Sequence, residues 1–345
     1  MKLRVRPARC LRRWYKGSNC DICVRSCPVN AISINGRDVT VSEESCLLCG
    51  ACAASCPTGV FSIGLEELIA SSRGGDVVKV TCRETGDGII TACVNSLNIH
   101  HYIILASKYS RIVVDARCQG CPLSKGPGLN VLEEAVGKLG DKLEVIRGDG
   151  GQSPLVKRLT LRRMMIKGST LISPPLGLIA SLTSEDVVEI YDTRTPEKAD
   201  VKVRVEGLKI AEGLSLGVKL RHPVVDESKC VFCGVCAGVC PTGAIEFEEA
   251  GVLRIKTSMC IACGHCIELC PEKAMEAVED DGIRVLEYTR TMRECPRCGY
   301  IYPASLGECP KCAVIMDIIR DIYRGESKDC RDYGERIREK LRSLR

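Results

Sequence analysis

Apolar residues between positions 67 and 150 follow two alternating periods, one typical of buried strands and one typical of helices. Short apolar runs predict strands at 77–80, 112–114 and 143–146. Apolar residues spaced three or four apart predict helices at 93–107 and 128–139. Because strands alternate with helices in this segment, we expect an α/β domain built on a sheet.

Two short hairpins with similar patterns lie on either side of this segment. In the first, Ile32 and Ile34 alternate with polar residues before Asn35-Gly36, a two-residue turn signal. In the second, the alternating residues 245–247 lead to a turn near Gly251. A pattern that recurs in this way predicts a duplicated module around an inserted domain.

The rest of the chain carries weaker patterns. Pro174-Pro175 marks a break, residues 192–200 predict a solvated loop, and residues 201–205 with 208–210 predict strands. Near the C-terminus, helical spacing predicts two helices. Their apolar stripes are Val314, Ile315, Ile318, Ile319 and Ile322, ending at Gly325, and then Tyr333, Ile337 and Leu341.

Cysteine content changes this picture, because the chain has 25 cysteines among its 345 residues. Runs at 46–56, 230–240 and 260–270 match the pattern C-x2-C-x2-C-x3-C-P. A shorter run at 20–27 ends in the same Cys-Pro step but has Gly17 where the pattern requires cysteine. The chain therefore resembles bacterial-type ferredoxins twice over.

The ferredoxin resemblance implies two modules, each with two [4Fe-4S] clusters. In this family the first three thiolates of a run bind one cluster, and the cysteine before proline binds the other. Zinc is disfavoured because its sites normally close with two C-x2-C pairs, and disulfides need an oxidising compartment. The implied ligand sets are Cys46, Cys49, Cys52 and Cys27; Cys230, Cys233, Cys236 and Cys270; Cys260, Cys263, Cys266 and Cys240; and Cys20, Cys23 and Cys56 with a fourth position open.

Cys10 is the candidate for that fourth position. The nine residues between Cys10 and Cys20 could form a loop that brings Cys10 back to the vacant corner. Two alternatives remain open: a [3Fe-4S] cluster on three thiolates, or an iron with a non-protein ligand. We favour Cys10, because a lengthened loop is a simpler explanation than a cysteine placed there by chance.

Four further cysteines follow the predicted strands of the α/β domain. Cys82 follows the first strand, Cys118 and Cys121 follow the second, and Cys93 opens a predicted helix. Ligands of open α/β sheets collect at this edge. The four cysteines are therefore candidates for a further iron–sulfur cluster, a zinc site or a redox dithiol, whereas packing as small apolar residues is the alternative without chemistry.

Two C-x2-C pairs near the C-terminus predict a tetrahedral four-thiolate site for zinc or iron. They are Cys295 with Cys298 and Cys309 with Cys312. Residues 298–302 resemble the first knuckle of rubredoxin, and zinc ribbons share the spacing. We favour zinc, because a site that only stabilises a small fold needs no redox chemistry.

Charge and hydropathy exclude little on their own. The formal net charge of +5 counts every cysteine as neutral, whereas four clusters would add about −8 and leave a charge near −3. We therefore expect no nucleic acid partner. The most apolar stretch, 89–114, is interrupted by polar residues, so we expect no membrane span. Arg12-Arg13 has no apolar segment behind it, and we expect a cytoplasmic protein.

The sequence thus predicts an α+β protein in which two ferredoxin-like two-cluster modules, 1–66 and 223–290, flank an α/β domain at 67–150. Residues 151–222 form an α/β extension and linker, and residues 291–345 form a metal ribbon with terminal helices. This organisation is typical of a polyferredoxin-type subunit without catalytic residues of its own. We expect it to relay single electrons from a ferredoxin or flavoprotein donor to an acceptor subunit in a cytosolic oxidoreductase complex.

Two other functions are consistent with parts of the sequence. A reductase acting on a sulfur or disulfide substrate at the central cysteines is the main alternative. A metal-dependent regulator that binds nucleic acid through the ribbon and basic tail would leave the four clusters unexplained.

Overall fold

A computed structural model of the chain describes residues 2–82, 88–148, 188–191, 195–309 and 312–313. The chain divides into two compact units, one of residues 1–218 with 281–283 and one of residues 219–280 with 284–345. Both units contain helices and strands, which confirms a mixed α and β protein. The predicted tail helices and the Pro174-Pro175 break lie outside the described residues.

The first unit holds most of the regular structure. Its described helices are α1 (Leu11–Trp14), α2 (Ile22–Ser26), α3 (Ala51–Ser55), α4 (Leu65–Ser71), α5 (Ile99–Lys108), α6 (Gly128–Leu139) and α7 (Lys202–Gly213). Its described strands are β1 (Leu3–Val5), β2 (Ile32–Asn35), β3 (Asp38–Val41), β4 (Phe61–Ser62), β5 (Gly75–Thr81), β6 (Ile90–Thr91), β7 (Tyr109–Asp115), β8 (Leu143–Ile146) and β9 (Val188–Ile190).

A four-stranded parallel sheet with the order β6-β5-β7-β8 forms the centre of the first unit. Val78 and Ile112, which pair in register on neighbouring strands, are completely buried. The strands predicted at 77–80, 112–114 and 143–146 are thus confirmed, although the first two are longer than predicted. The short strand β6 was not predicted, because two residues are too few to show a period.

Helix α5 begins later than the apolar pattern predicts. The pattern places a helix at 93–107, but residues 94–96 form a 3-10 turn and the α-helix begins at Ile99. Asn98 is the N-cap, because its Oδ1 accepts the N–H of His101 over 3.1 Å while His101 Nδ1 accepts the N–H of Asn98 over 3.1 Å. Cys93 therefore precedes the helix and does not open it.

The strands predicted at 201–205 and 208–210 are wrong. Val201 is the N-cap of the α-helix α7, and the remaining residues of both predicted strands lie within this helix, which packs against α5. Gly207, Leu208 and Ala211 are buried on one side of the helix, at the three- and four-residue spacing of an α-helix. Gly207 permits close packing, since a Cβ there would lie 2.6 Å from the Cβ of His100. Tertiary packing thus overrides the strand preference of Val201, Val203 and Val205.

Two small sheets complete the first unit. Strands β2 and β3 form the predicted hairpin, with Asn35 paired to Asp38 and Gly36 in the left-handed conformation. Strand β1 lies between β4, which runs antiparallel to it, and β9, which runs parallel. Residues 188–190 of the predicted extension thus share a sheet with the beginning of the chain.

Most of the regular structure in the second unit is strand. The strands are β10 (Lys219–Val225), β11 (Ile245–Glu248), β12 (Val252–Lys256), β13 (Met275–Asp281), β14 (Val285–Thr289), β15 (Met292–Glu294) and β16 (Ile301–Pro303), with the short helices α8 (Val235–Gly238) and α9 (His265–Glu268). Strand β12 pairs with both β11 and β14. The predicted hairpin turn occurs at Gly251, whose φ is +90°. Leu253 and Ile255 on β12 form the buried centre of this unit.

No helix in the described ranges is both long enough and apolar enough to cross a bilayer.

Candidate metal centres

Each of the four Cys-Pro steps leads into the same backbone turn. The third residue after the cysteine has a positive φ, between +51° and +69°, at Asn30, Gly59, Gly243 and Lys273. In three of the turns this conformation lets the backbone N–H of the fourth residue after the cysteine donate a hydrogen bond to the cysteine sulfur. The donor–sulfur distances are 3.2 Å for Ala31 to Cys27, 3.4 Å for Val60 to Cys56 and 3.3 Å for Ala274 to Cys270.

The fourth turn uses a threonine instead. Thr242 Oγ1 accepts the N–H of Ala244 over 3.2 Å and lies 3.5 Å from Cys240 Sγ. Hydrogen bonds from N–H and O–H groups to cysteine sulfur are a usual feature of ligands to iron–sulfur clusters. All four Cys-Pro cysteines are therefore surrounded by groups suited to a metal ligand.

The three intact cysteine runs share a second left-handed residue, placed just before the second cysteine. These residues are Leu48, Phe232 and Ala262, with φ of +51°, +51° and +53°. In the third run the conformation directs the N–H of Ala262 to Cys260 Sγ over 3.4 Å. Glycines with positive φ then begin the short helices that carry the third cysteines: Gly50, Gly234 and Gly264. Because Leu, Phe and Ala have no preference for positive φ, their residue types gave no signal of this turn.

In the second unit, each predicted ligand set lines a common cavity. One cavity is lined by Cys230, Cys233, Cys236 and Cys270. The other, of about 160 Å³, is lined by Cys240, Cys260, Cys263 and Cys266. Cys233 is the most exposed of these eight residues. The donor sets therefore fit iron–sulfur clusters, since four thiolates converge on each space.

Two histidines line the larger cavity beside its cysteines. His222 is almost completely buried, with Nε2 2.6 Å from Asp280 Oδ1 and Nδ1 3.2 Å from the carbonyl oxygen of Pro223. His265 is 3% exposed, and burial lowers its pKa. The cavity wall thus combines thiols with imidazoles held at fixed positions.

In the first unit, Cys10 lies with the incomplete cysteine run. Burial, then the neighbouring Cys56 and Cys20, raise the pKa of Cys10, while the N–H groups of Arg12 and Arg13 lower it. Burial, then Cys56, Cys10 and Cys20, raise the pKa of Cys23 to about 12. The loop after Cys10 is fastened by Arg12, whose Nε donates to the carbonyl oxygen of Cys20 over 2.6 Å. The four thiols that the first set requires are therefore close neighbours.

The cysteines of the second ligand set in this unit also lie close together. Burial is the first cause that raises the pKa of Cys49, to about 11, and Cys27 and Cys46 add to it. Burial also raises the pKa of Cys52 well above its ordinary value, followed by the effects of Cys49, Cys46 and Cys27. Thiols that raise one another's pKa in this way are poorly suited to hold several negative charges alone, and a bound cation would remove the penalty.

The C-terminal cysteines form a tighter group. Cys295 Sγ lies 3.7 Å from Cys312 Sγ, and Cys298 Sγ lies 3.7 Å from Cys309 Sγ. All four sulfurs lie within 4.8 Å of one another, and no other group of three or more potential ligands in the described residues meets this limit. A tetrahedral ion with metal–sulfur bonds of about 2.3 Å requires edges of about 3.8 Å. The site therefore fits a single zinc or iron ion.

Electrostatics within this C-terminal group are asymmetric. The N–H of Arg297 is the main cause that lowers the pKa of Cys295. Interaction with Cys298 is the main cause that raises the pKa of Cys312, to about 12. The four sulfurs thus differ in how readily they lose a proton, and metal binding would release protons from those that retain them.

The central cysteines all lie at one edge of the parallel sheet. Cys82 directly follows β5, Cys93 follows β6 by one residue, and Cys118 and Cys121 follow β7. Burial is the first cause that raises the pKa of Cys93, to about 12, and that of Cys118, to about 11. The structure thus brings together the three cysteines predicted to follow strands and Cys93, which was predicted to open a helix.

Comparison with known families agrees with two parts of the chain. Residues 18–60 match a family model for a 4Fe-4S dicluster domain, and residues 222–271 match a second family model with the same description. No curated protein and no solved structure gives a significant match to the chain. The chain therefore carries two ferredoxin-type 4Fe-4S dicluster domains and, at its C-terminus, a cysteine cluster suited to metal binding.

Proposed function

We propose that this protein is a polyferredoxin-type iron–sulfur subunit that relays single electrons between redox proteins. The observation that carries the proposal is the convergence, within each cavity of the second unit, of the four cysteines that one ferredoxin ligand set requires. The two dicluster family matches support the same function. The clusters, when bound, supply the one-electron chemistry.

The proposal assigns four [4Fe-4S] ligand sets. The first is completed by Cys10, because its thiol lies with those of the short run and its loop is held by Arg12. The sets are Cys10, Cys20, Cys23 and Cys56; Cys46, Cys49, Cys52 and Cys27; Cys230, Cys233, Cys236 and Cys270; and Cys260, Cys263, Cys266 and Cys240.

The protein's own contribution is to set reduction potential and access. Backbone N–H groups donate to Cys27, Cys56 and Cys270, and such bonds make a cluster easier to reduce. Burial of Cys23 and Cys52 acts in the opposite direction, because a low dielectric disfavours added negative charge. The balance between these two effects at each site sets the reduction potential of its cluster, so one chain can hold clusters with different potentials.

We further propose the arrangement of modules and partners. Two tandem ferredoxin modules, 1–66 and 223–290, flank the α/β insert at 67–150 and its extension at 151–222, and residues 291–345 bear a structural zinc site. A ferredoxin or flavoprotein would donate electrons, and an oxidoreductase subunit would accept them. Zinc suits the C-terminal site because its four thiolates close around one ion and leave no open coordination position.

Anaerobic purification followed by metal and sulfide analysis tests the proposal. Four filled clusters predict about sixteen iron atoms per chain with an equal amount of sulfide. The dithionite-reduced protein should transfer electrons to a one-electron acceptor such as oxidised ferredoxin. A preparation that contains chiefly zinc, or that holds iron but exchanges no electrons with any one-electron partner, would contradict the function.

A further inference from the structure

The carboxyl ends of three parallel strands bring the central cysteines together. Thr81 pairs with Thr91 on the neighbouring strand, and the N–H of Ala92 donates to the Thr81 carbonyl over 2.9 Å, so Cys82 lies beside the segment that carries Cys93. On the other side, Val80 pairs with Val114. The chain after β7 is therefore brought to the same edge.

A tight turn holds the last two cysteines. The N–H of Cys118 donates to Ala116 O over 2.8 Å, and the N–H of Cys121 donates to Cys118 O over 3.1 Å. Gly120, between them, has a φ of +72°, which glycine adopts without strain. The two thiols are thus presented from one turn.

Asn95 joins the loop after Cys93 to the loop after Cys121. Its Nδ2 donates to the carbonyl oxygen of Leu123 over 2.8 Å, and its Oδ1 accepts the N–H of Gly128 over 2.8 Å. The Asn95 side chain is buried. It therefore fixes the distance between the two cysteine-bearing loops and is a positioning residue for both.

Electrostatic interactions connect the four thiols with one another. After burial, which is the largest cause, Cys82 and Cys118 raise the pKa of Cys93, and Cys121 and Cys82 raise the pKa of Cys118. No three of these sulfurs lie within 4.8 Å, a limit met in the described residues by the C-terminal group alone. Four thiols that are neighbours but too widely spaced for one ion fit a ligand set in which the sulfurs bind different metal atoms.

A buried hydroxyl lies near two of these cysteines. Tyr102 on α5 is completely buried, and its Oη has no hydrogen-bond partner among the described residues. Burial, and then the nearby Cys93 and Cys118, raise the pKa of this hydroxyl. A buried O–H without an acceptor is destabilising, because it loses its hydrogen bond to water and gains none in return. An acceptor between Cys93 and Cys118, such as a sulfide ion or a metal-bound thiolate, would satisfy it.

We propose that Cys82, Cys93, Cys118 and Cys121 bind a fifth iron–sulfur cluster at the carboxyl edge of the parallel sheet. This site is separate from the four clusters of the proposed function. It lies next to one of them, because Cys93 and Cys121 pack against the apolar group that contains Cys49. Cys49 also acts electrostatically on Cys93. Short distances between ligand sets are what electron exchange between clusters requires, so the fifth cluster extends the chain of centres into the α/β insert.

The decisive experiment compares one double-ligand variant with a matched control. Cys118→Ser with Cys121→Ser should lower iron by about four atoms per chain for a cubane, or by about two for a two-iron cluster, with equal loss of sulfide. Cys330→Ser, which changes a cysteine outside every proposed ligand set, should leave the iron content unchanged. Mössbauer spectra of both proteins identify the type of cluster that is lost.

A second variant covers the case in which the double change prevents folding. Tyr102→Phe removes only the unpartnered hydroxyl, so the fold and the iron content should be preserved. Loss of an O–H donor should make one cluster harder to reduce, and its midpoint in a redox titration should become more negative while the others stay in place.

The outcomes separate this inference from the proposed function. The fifth cluster is overturned if the wild-type protein holds about sixteen iron atoms, the double variant holds the same number, and no midpoint shifts in Tyr102→Phe. The proposed electron relay would then still stand. Loss of zinc rather than iron in the double variant also overturns the fifth cluster. Wild-type protein with little iron of any kind contradicts the proposed function itself.

Discussion

Cys295 Sγ lies 3.7 Å from Cys312 Sγ, which joins the turn between β15 and β16 to the segment that follows β16. This distance matches the edge of a thiolate tetrahedron around one ion, so the site is preformed for metal. The hairpin it fastens has a small apolar core, of which Tyr302 and Leu306 are the main non-cysteine members. Metal should therefore supply much of the stability of this end of the second unit.

Changing Cys295 and Cys298 to Ser should remove one metal ion per chain and unfold residues 292–309 locally. Because the four thiolates take the place of a larger apolar core, amide hydrogen exchange in this segment should become fast. Iron content at the ferredoxin-type sites should not change. Retention of the metal and of slow exchange in the double variant would show that these cysteines are not its ligands, and Cys330→Ser provides the matched control.

Changing Cys10 to Ser should convert one [4Fe-4S] cluster to a three-iron form, because one corner loses its thiolate. Low-temperature EPR of the oxidised protein should show a new [3Fe-4S] signal, while the other clusters keep their spectra. A rescue variant is available, since Gly17 occupies the position where the ferredoxin pattern has cysteine. Cys10→Ser with Gly17→Cys should restore the four-iron cluster once the Tyr15 ring, which lies 2.6 Å from the new Cβ, has moved aside.

The Cys10 assignment has a clear contrary result. If Cys10→Ser shows no three-iron signal and the protein keeps its full iron content, then another ligand, protein or solvent, occupies that corner. If the wild-type protein already shows the three-iron signal after strictly anaerobic purification, the three-thiolate alternative is correct.

The first unit should lose stability as pH falls from 6.5 toward 4, because His101 is held neutral. Burial is the main cause that lowers its pKa to about 4, and protonation of Nδ1 would break the bond from the Asn98 N–H. The folded pKa lies below the unfolded value of about 6.5, so the unfolded chain binds the proton first and stability falls with pH in this window. The contribution of His101 is about 2 kcal/mol at pH 5.

His101→Gln isolates this contribution. Glutamine does not titrate, and at this position it can accept the same N–H of a capping box. Anaerobic denaturant unfolding of both proteins at pH 7 and pH 5 should show a smaller pH dependence for the variant, by about 2 kcal/mol. Effects of acid on the clusters are common to both proteins and cancel. Equal pH dependence would mean that His101 titrates normally in the folded chain.

Substitutions of Ala262 test whether the left-handed residue before the second cysteine of an intact run affects stability. Its φ of +53° is unfavourable for a residue with a Cβ and more so for a β-branched one, by roughly 1–2 kcal/mol. Ala262→Gly should slow the loss of visible iron–sulfur absorbance in denaturant, and Ala262→Val should accelerate it, each by about fivefold. If valine is tolerated as well as glycine, the turn is not maintained in the folded protein that carries its clusters.

Cysteine spacing, rather than apolar periodicity, predicted the parts of the chain that matter most. C-x2-C-x2-C-x3-C-P identified both dicluster domains, because metal ligation fixes the spacing of ligands whatever the surrounding sequence. Apolar periods also located β8 and α6 at their observed bounds. The helix Lys202–Gly213 was missed because three valines suggested a strand, while the partner that buries its face, α5, lies about a hundred residues away.

Other features of the sites had no sequence signal at all. Tyr102 looks like any apolar position of an amphipathic helix, and only the fold shows that its hydroxyl lies near cysteines from two other segments. Leu48 and Phe232 likewise look like ordinary apolar residues, although their backbone is left-handed. Gly126 and Gly128 gave no sequence signal of their role either, although a Cβ at each would lie 2.5 Å from an atom of Asn95. Their role is close packing beside the central cysteines.

Cys233 is the most exposed cysteine among those we assign to the ferredoxin-type clusters, whereas Cys10, Cys23, Cys49, Cys52, Cys240 and Cys266 are buried. Molecular oxygen reaches a cluster through its accessible face, so damage in air should not be uniform along the chain. The set that contains Cys233 should be degraded first and the buried sets of the first unit last. A preparation briefly exposed to air would then hold a partly emptied chain whose remaining colour comes mainly from the buried sets, and its iron content would understate the number of centres the protein carries in a cell protected from oxygen.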